Sequence, residues 1–105
     1  MHTELIYEVT QVEAHIHKTN PPRLHVTATG NASSGSQSNA RLERRIYVVF
    51  PADGIQEYDF LIVVPDGPTT DDIKGHTVSE SWENFPTELK GVRVYAKAGN
   101  IEEKL

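Results

Sequence analysis

Apolar and polar residues alternate with a period of two along most of this chain, in short runs divided by Gly, Pro, Asn and Asp. That pattern predicts strands, because successive side chains on a strand leave opposite faces. The first run covers residues 4–17. Tyr7 and Val9 share one face, whereas Val12, Ala14 and Ile16 continue the alternation one residue out of phase. The slip near Thr10 and Gln11 predicts a β-bulge or a strand that changes sheets. Asn20-Pro21-Pro22 then forces a turn, since each proline fixes φ and removes a donor. Residues 23–29 set Leu24, Val26 and Ala28 on one face, with Arg23, His25, Thr27 and Thr29 on the other.

The stretch GNASSGSQSNA at 30–40 is small and polar throughout, and it predicts a flexible exposed loop. Two strong strands are expected next, at 42–50 and 57–64. The first sets Ile46, Val48 and Phe50 on one face, and the second Tyr58, Phe60, Ile62 and Val64. Pro51-Ala52-Asp53-Gly54 between them is a turn, with Pro setting φ and Gly supplying a positive φ. A central antiparallel hairpin is therefore expected. Its second face carries Tyr47, Val49, Leu61 and Val63, which is too apolar to stand fully in water. Either the segment around Trp82, Phe85 and Leu89 covers it, or another subunit does.

Residues 65–77 read as loop. Val78 and Trp82 suit a strand, and Pro86–Lys90 suits a single helical turn ended by Gly91. Val92, Val94 and Ala96 form a further strand, Ala98-Gly99-Asn100 turns the chain, and residues 101–105 add a short edge strand. Six or seven short strands at this spacing predict one all-β domain over 1–105, an antiparallel β-sandwich of immunoglobulin-like size. A small β-barrel is the alternative.

Composition narrows the function classes. Fifteen acidic against ten basic residues leave a formal charge of −5. Neither a general nucleic-acid surface nor an anionic membrane surface is expected, because both need clustered Lys and Arg. The chain has no cysteine, which removes disulfides, Cys-ligated zinc and a thiol nucleophile together. MHTELIYEVT has neither the basic nor the apolar region of a signal peptide, and no apolar run has membrane-spanning length, so a cytoplasmic location is expected.

The stretches PADGIQEYDF at 51–60 and LKGVRVYA at 89–96 resemble segments of small uncharacterised bacterial β-rich proteins. The resemblance covers under a quarter of the chain. It implies a bacterial, stand-alone domain and brings no activity with it.

Histidine supplies the sharpest candidate chemistry. His15 and His17 leave the same strand face, opposite Val12, Ala14 and Ile16. Folding 11–17 against 23–29 with Ile16 opposite Leu24 and Ala14 opposite Val26 matches apolar to apolar. That register sets His15 opposite His25 and His17 opposite Arg23. Opposed side chains have Cβ atoms roughly 5 Å apart. His15, His17 and His25 could then converge on zinc, with Glu13 as a further ligand or hydrogen-bond partner. Against this stands Arg23, which repels a cation, and the ordinary occurrence of His and Thr on solvent faces. His2 is expected on a frayed terminus and His76 in a loop.

Weaker candidates are the acidic loop Asp66–Asp72 for calcium, which lacks the ligand alternation of an EF-hand, and Arg41, Arg44 and Arg45 for a phosphate. Alternation separates Arg44 from the other two. Trp82, Tyr95, Tyr58 and Phe85 suit a core better than a ligand platform. No phosphate loop, nucleophile elbow or Ser/His/Asp spacing is present. The expected function is a non-enzymatic interaction or assembly module, with a protein partner or self-association through Tyr47, Val49, Leu61 and Val63, and no cofactor. The alternative is a metal-binding protein or metal-dependent enzyme built on the three histidines. A protease-inhibitor-like domain presenting loop 30–40 is a third reading, weakened by the softness of that loop.

Overall fold

Every alternating run becomes a strand where a neighbouring run can take up its backbone hydrogen bonds. In a computed structural model describing residues 1–105, eight strands form two sheets and no helix occurs. They are β1 (His2–Leu5), β2 (Glu8–His17), β3 (Arg23–Ala32), β4 (Ser38–Arg44), β5 (Ile55–Val64), β6 (Lys74–Glu83), β7 (Gly91–Ala96) and β8 (Gly99–Lys104). One sheet has the order β2-β3-β6, and the other assembles β1, β4, β7 and β8 around β5. The architecture is the expected β-sandwich.

Strand β5 organises the larger sheet. Strand β7 pairs with its first half, over Ile55–Asp59, and β1 with its second half, over Leu61–Val64. Strand β4 overlaps both along Tyr58–Val63 and so occupies the opposite edge. The β5–β7 pairing is parallel, the one departure from the expected antiparallel order. The core lies between the sheets. Tyr58, Phe60 and Ile62 of β5 and Val92, Val94 and Ala96 of β7 meet Leu24, Val26 and Ala28 of β3 and Val12 and Ala14 of β2. These are the faces that the alternation assigns inward, and their burial is what favours the fold.

The phase slip in the first run has two parts. The chain changes sheets at Ile6 and Tyr7, with Ile6 wholly buried, and a bulge follows between Val9 and Gln11.

Three expectations need correction. The segment 30–40 is not one loop: β3 runs on to Ala32 and β4 starts at Ser38. Its small residues permit close approach, with Gly30 against Glu8 and Phe60 and Ala32 fully buried. Ser34 bonds Ser36 and Thr70, and Gly35 N donates to Asp72 Oδ1 at 3.3 Å.

Strand β4 ends at Arg44, so the hairpin partner of β5 is 38–44 and not 42–50. Beyond it one backbone bond remains, Arg45 N donating to the Glu57 carbonyl at 3.0 Å, and side chains then replace the ladder. Gln56 Nε2 donates to the Arg45 carbonyl at 2.9 Å, and the Glu57 amide donates to the Tyr47 hydroxyl at 3.0 Å. Ile46, Val48 and Val49 consequently stand in solvent instead of the core. The Pro51–Gly54 turn is present, closed by Gly54 N donating to the Pro51 carbonyl, with Gly54 at φ +74°.

Residues 86–90 form a turn, with Leu89 N donating to the Pro86 carbonyl, and not a helical turn. Trp82, Phe85 and Leu89 pack against the core, so they do not cover the outer face of β5.

Candidate functional site

The two sheets do not meet equally on their two sides. On one side β2 lies against β7 and β8. On the other, β4 and β6 are both edge strands, and the space between them opens as a cleft of about 690 Å³. Its walls include Arg44, Arg45, Tyr47, Phe50, Glu80 and Trp82.

Strand alternation explains what reaches this cleft. Ala40, Leu42 and Arg44 form the inward row of β4, and His76, Val78, Glu80 and Trp82 that of β6. Each edge strand thus brings one charged residue into the inter-sheet space. Arg44 Nε lies 2.9 Å from Glu80 Oε1, an ion-pair contact that lacks hydrogen-bond alignment. The Arg44 guanidinium also covers the Trp82 ring, 4.4 Å from its centroid. Tyr58 lies nearby, completely buried, with a hydroxyl that bonds no protein group. Burial raises the Glu80 pKa, and the Arg44 charge only partly offsets it. Burial chiefly raises that of Tyr58.

A second polar cluster lies outside the larger sheet. Glu57 accepts from the Tyr95 hydroxyl at 2.6 Å, the Tyr47 hydroxyl at 3.1 Å and Arg93 Nη1 at 3.3 Å. Those donors, led by Tyr95, hold its carboxyl below the ordinary value against the effect of burial. Arg45 chelates Asp59 and lies over the Tyr95 ring. The cluster ties the 45–50 segment to β5 and β7.

No protein-family model, curated protein or solved structure matches the chain. The site must therefore be read from its own geometry.

The histidine register is the one that apolar matching predicts: His15 opposite His25 and His17 opposite Arg23. His17 and His25 meet edge-to-face with ring centroids 5.7 Å apart. His25 Nδ1 lies 3.1 Å from Ser81 Oγ, and Arg23 is engaged by Glu83. No three His, Asp or Glu side chains of the chain are arranged to hold one metal ion. His2 belongs to β1 and bonds Glu4 at 2.8 Å, and His76 belongs to β6, correcting both placements. His76 is half-buried, and desolvation leads the lowering of its pKa.

In the acidic loop, Asp66 pairs with the terminal amine and Asp72 holds the 33–37 turn, so the two serve different contacts. Arg44 turns inward, whereas Arg41 meets Glu43 and Arg45 meets Asp59, so the three arginines do not gather on one anion.

Of the expected interaction surface, Tyr47 is tied to Glu57 and Val49 is 81% exposed. Leu61 and Val63 are half-buried on β5, beside β1 and β4, with Leu61 roughly 13 Å along the strand from Glu57. Glu80 and Glu57 were not singled out by the sequence. The signal for Glu80 was a carboxylate in phase with Val78 and Trp82 on a strand whose other face carries Thr77, Ser79, Ser81 and Glu83.

Proposed function

We propose that this chain is a non-enzymatic interaction module that engages an extended protein segment along the open side of the sandwich. One observation carries the reading. Ile46, which lines the cleft, and Val48 and Val49, which follow it between the lining residues Tyr47 and Phe50, are 96%, 105% and 81% exposed. Isolated exposed aliphatic residues are ordinary, but three within four positions beside an aromatic-lined groove mark a contact surface.

The cleft suits a polypeptide. Trp82, Tyr47 and Phe50 offer large apolar faces with few rotatable bonds, as interface anchors do. The free edge of β6 offers backbone donors and acceptors to an added strand. Arg44 and Glu80 neutralise each other, so an apolar side chain entering the cleft leaves neither charge unpaired.

The test uses Trp82, the only tryptophan. Short peptides alternating aliphatic and polar residues are titrated into the protein while its fluorescence and amide NMR shifts are followed. Saturable changes at residues 43–50 and 78–83 are expected. Shifts confined to other surfaces, or none with any peptide, overturn the reading.

A further inference from the structure

The chain holds two Asp-Gly pairs, Asp53-Gly54 and Asp66-Gly67. An aspartyl side chain can reach the nitrogen of the next residue in a five-membered ring, and glycine, with no Cβ, screens that nitrogen least. The two pairs are identical in sequence, so any difference in their reactivity is set by the fold.

At the first pair the fold closes this route. Gly54 is buried, and its amide donates to the Pro51 carbonyl at 3.0 Å. Its own carbonyl accepts from Lys90 N at 2.8 Å, so the residue is held on both sides. Asp53 Oδ1 accepts from the Ile55 amide at 3.0 Å, which carries the carboxyl past Gly54. The second pair has none of these restraints. Asp66 and Gly67 are exposed, in the connection between β5 and β6. The Gly67 amide makes no hydrogen bond within the chain, and no atom stands within 4 Å of where a Cβ would lie. The Asp66 carboxyl meets the terminal amine of Met1, but their side chains are 84% and 76% exposed, and so open a pairing does not lock the carboxyl.

We infer that Asp66, and not Asp53, is a site of spontaneous isomerisation to isoaspartate. The Gly67 nitrogen attacks Asp66 Cγ. A bond forms between them, and the carboxyl hydroxyl leaves with the amide proton as water. The succinimide then takes up water. Breaking the new bond restores aspartate, whereas breaking the bond from that nitrogen to the Asp66 main-chain carbonyl carbon routes the chain through the side chain. One water leaves and one returns, so the mass is unchanged and no oxidant or reductant takes part. The site is remote from the cleft. Gln56 is among the cleft walls, and Val64, where β5 ends, lies about 27 Å further along the strand. Peptide binding on the open side and isomerisation at Asp66 therefore stand or fall separately.

Folded protein incubated for weeks at pH 7.5, beside a sample in urea, tests this. Peptides are separated and weighed, cut with an endoprotease that cleaves before aspartate, and labelled by an isoaspartyl methyltransferase. In the folded chain the Asp66 peptide is expected to split into two species of equal mass. One of them resists cleavage at residue 66 and takes the methyl label, while the Asp53 peptide stays single. In urea both peptides should split, because the bonds around Gly54 are gone. Asp66→Glu, which would need a six-membered ring, should lose the label and keep the melting temperature. Absence of isoaspartate at Asp66 in the folded chain overturns the inference. Equal isoaspartate at both positions in the folded chain does so too, because the fold then protects neither.

Discussion

The guanidinium of Arg44 lies flat over Trp82, 4.4 Å from the ring centroid, where the inward rows of the two free edge strands meet. The contact joins two sheets that share no hydrogen bond on this side. Truncation of Trp82 removes it together with the edge-to-face packing on Phe85 and part of the core boundary. Trp82→Ala is expected to cost about 2–3 kcal/mol in urea unfolding, below the figure for a wholly buried tryptophan because this one is half-exposed. Arg44→Met keeps most of the packing but strands Glu80, so its cost should be larger at pH 7 than at pH 4.

Glu80 and Glu57 should give stability profiles of opposite slope. The folded-state pKa of Glu80 is raised by burial, with Arg44 opposing. The native state therefore holds its proton more tightly than the unfolded chain does. The associated stability is complete below the unfolded carboxylate value and is lost as pH rises through the folded one. Glu57 is lowered by Tyr95, Tyr47 and its two arginines. Its contribution is complete above the unfolded value and is lost as pH falls through the folded one. In unfolding measured from pH 3 to pH 8, Glu80→Gln should flatten the decline on the rising side. Glu57→Gln should flatten the acid-side loss and cost about 1–2 kcal/mol at pH 7, because it removes a charged acceptor from several donors at once. Equal profiles for both variants would show that neither carboxyl titrates differently in the fold.

The inward faces of β3, β5 and β7 were legible because alternation and burial agree there: Leu24, Val26 and Ala28 all lie buried in the core. The β2–β3 register was legible from the same alternation together with the short Asn20-Pro21-Pro22 turn, since a one-residue slip would set Ile16 and Ala14 against polar residues. The course of 45–50 was not. Its alternation is that of a strand, but the Tyr47 hydroxyl takes the Glu57 amide of β5 and Gln56 Nε2 takes the Arg45 carbonyl, two groups that a continuing ladder would need. Side chains that substitute for a ladder leave no periodic trace. The 30–40 segment misled in the other direction, because small polar residues signal a loop and equally permit two backbones to touch. The cleft was hidden because it depends on which strands become edges, a property of topology rather than of any one run.

Gly30 tests that second point. A Cβ there would lie 2.4 Å from the Glu8 carbonyl oxygen and 3.0 Å from Phe60. Both neighbours are fixed, one by the β2–β3 ladder and one by the core, so neither can yield cheaply. Gly30→Ala is expected to cost about 2–3 kcal/mol, in the range of overpacked sites. Gly75 lies across from the same strand, and its nearest neighbour would be the Asn31 side chain at 3.6 Å. Gly75→Ala should fall within about 0.5 kcal/mol of wild type. Equal tolerance of both would place Gly30 in a mobile connection after all.

His15 and His25 occupy opposed positions on the outer side of the three-stranded sheet, and no group of three ligating side chains is assembled around them. Arg23 occupies the position opposite His17, and Ser81 engages His25. Zinc added to tag-free protein should therefore bind weakly, through two imidazoles at most, and raise the melting temperature by little at equimolar metal. Calorimetry at pH 7.5 checks this with His15→Ala, His17→Ala and His25→Ala in turn. Loss of binding in the second and third variants alone fits the His17–His25 pair, whose rings meet across the two strands. Tight one-to-one binding lost in all three would mean that the side chains rearrange to capture the ion. In that case a zinc-dependent activity, with the fourth position open to water, would displace the interaction module as the leading account.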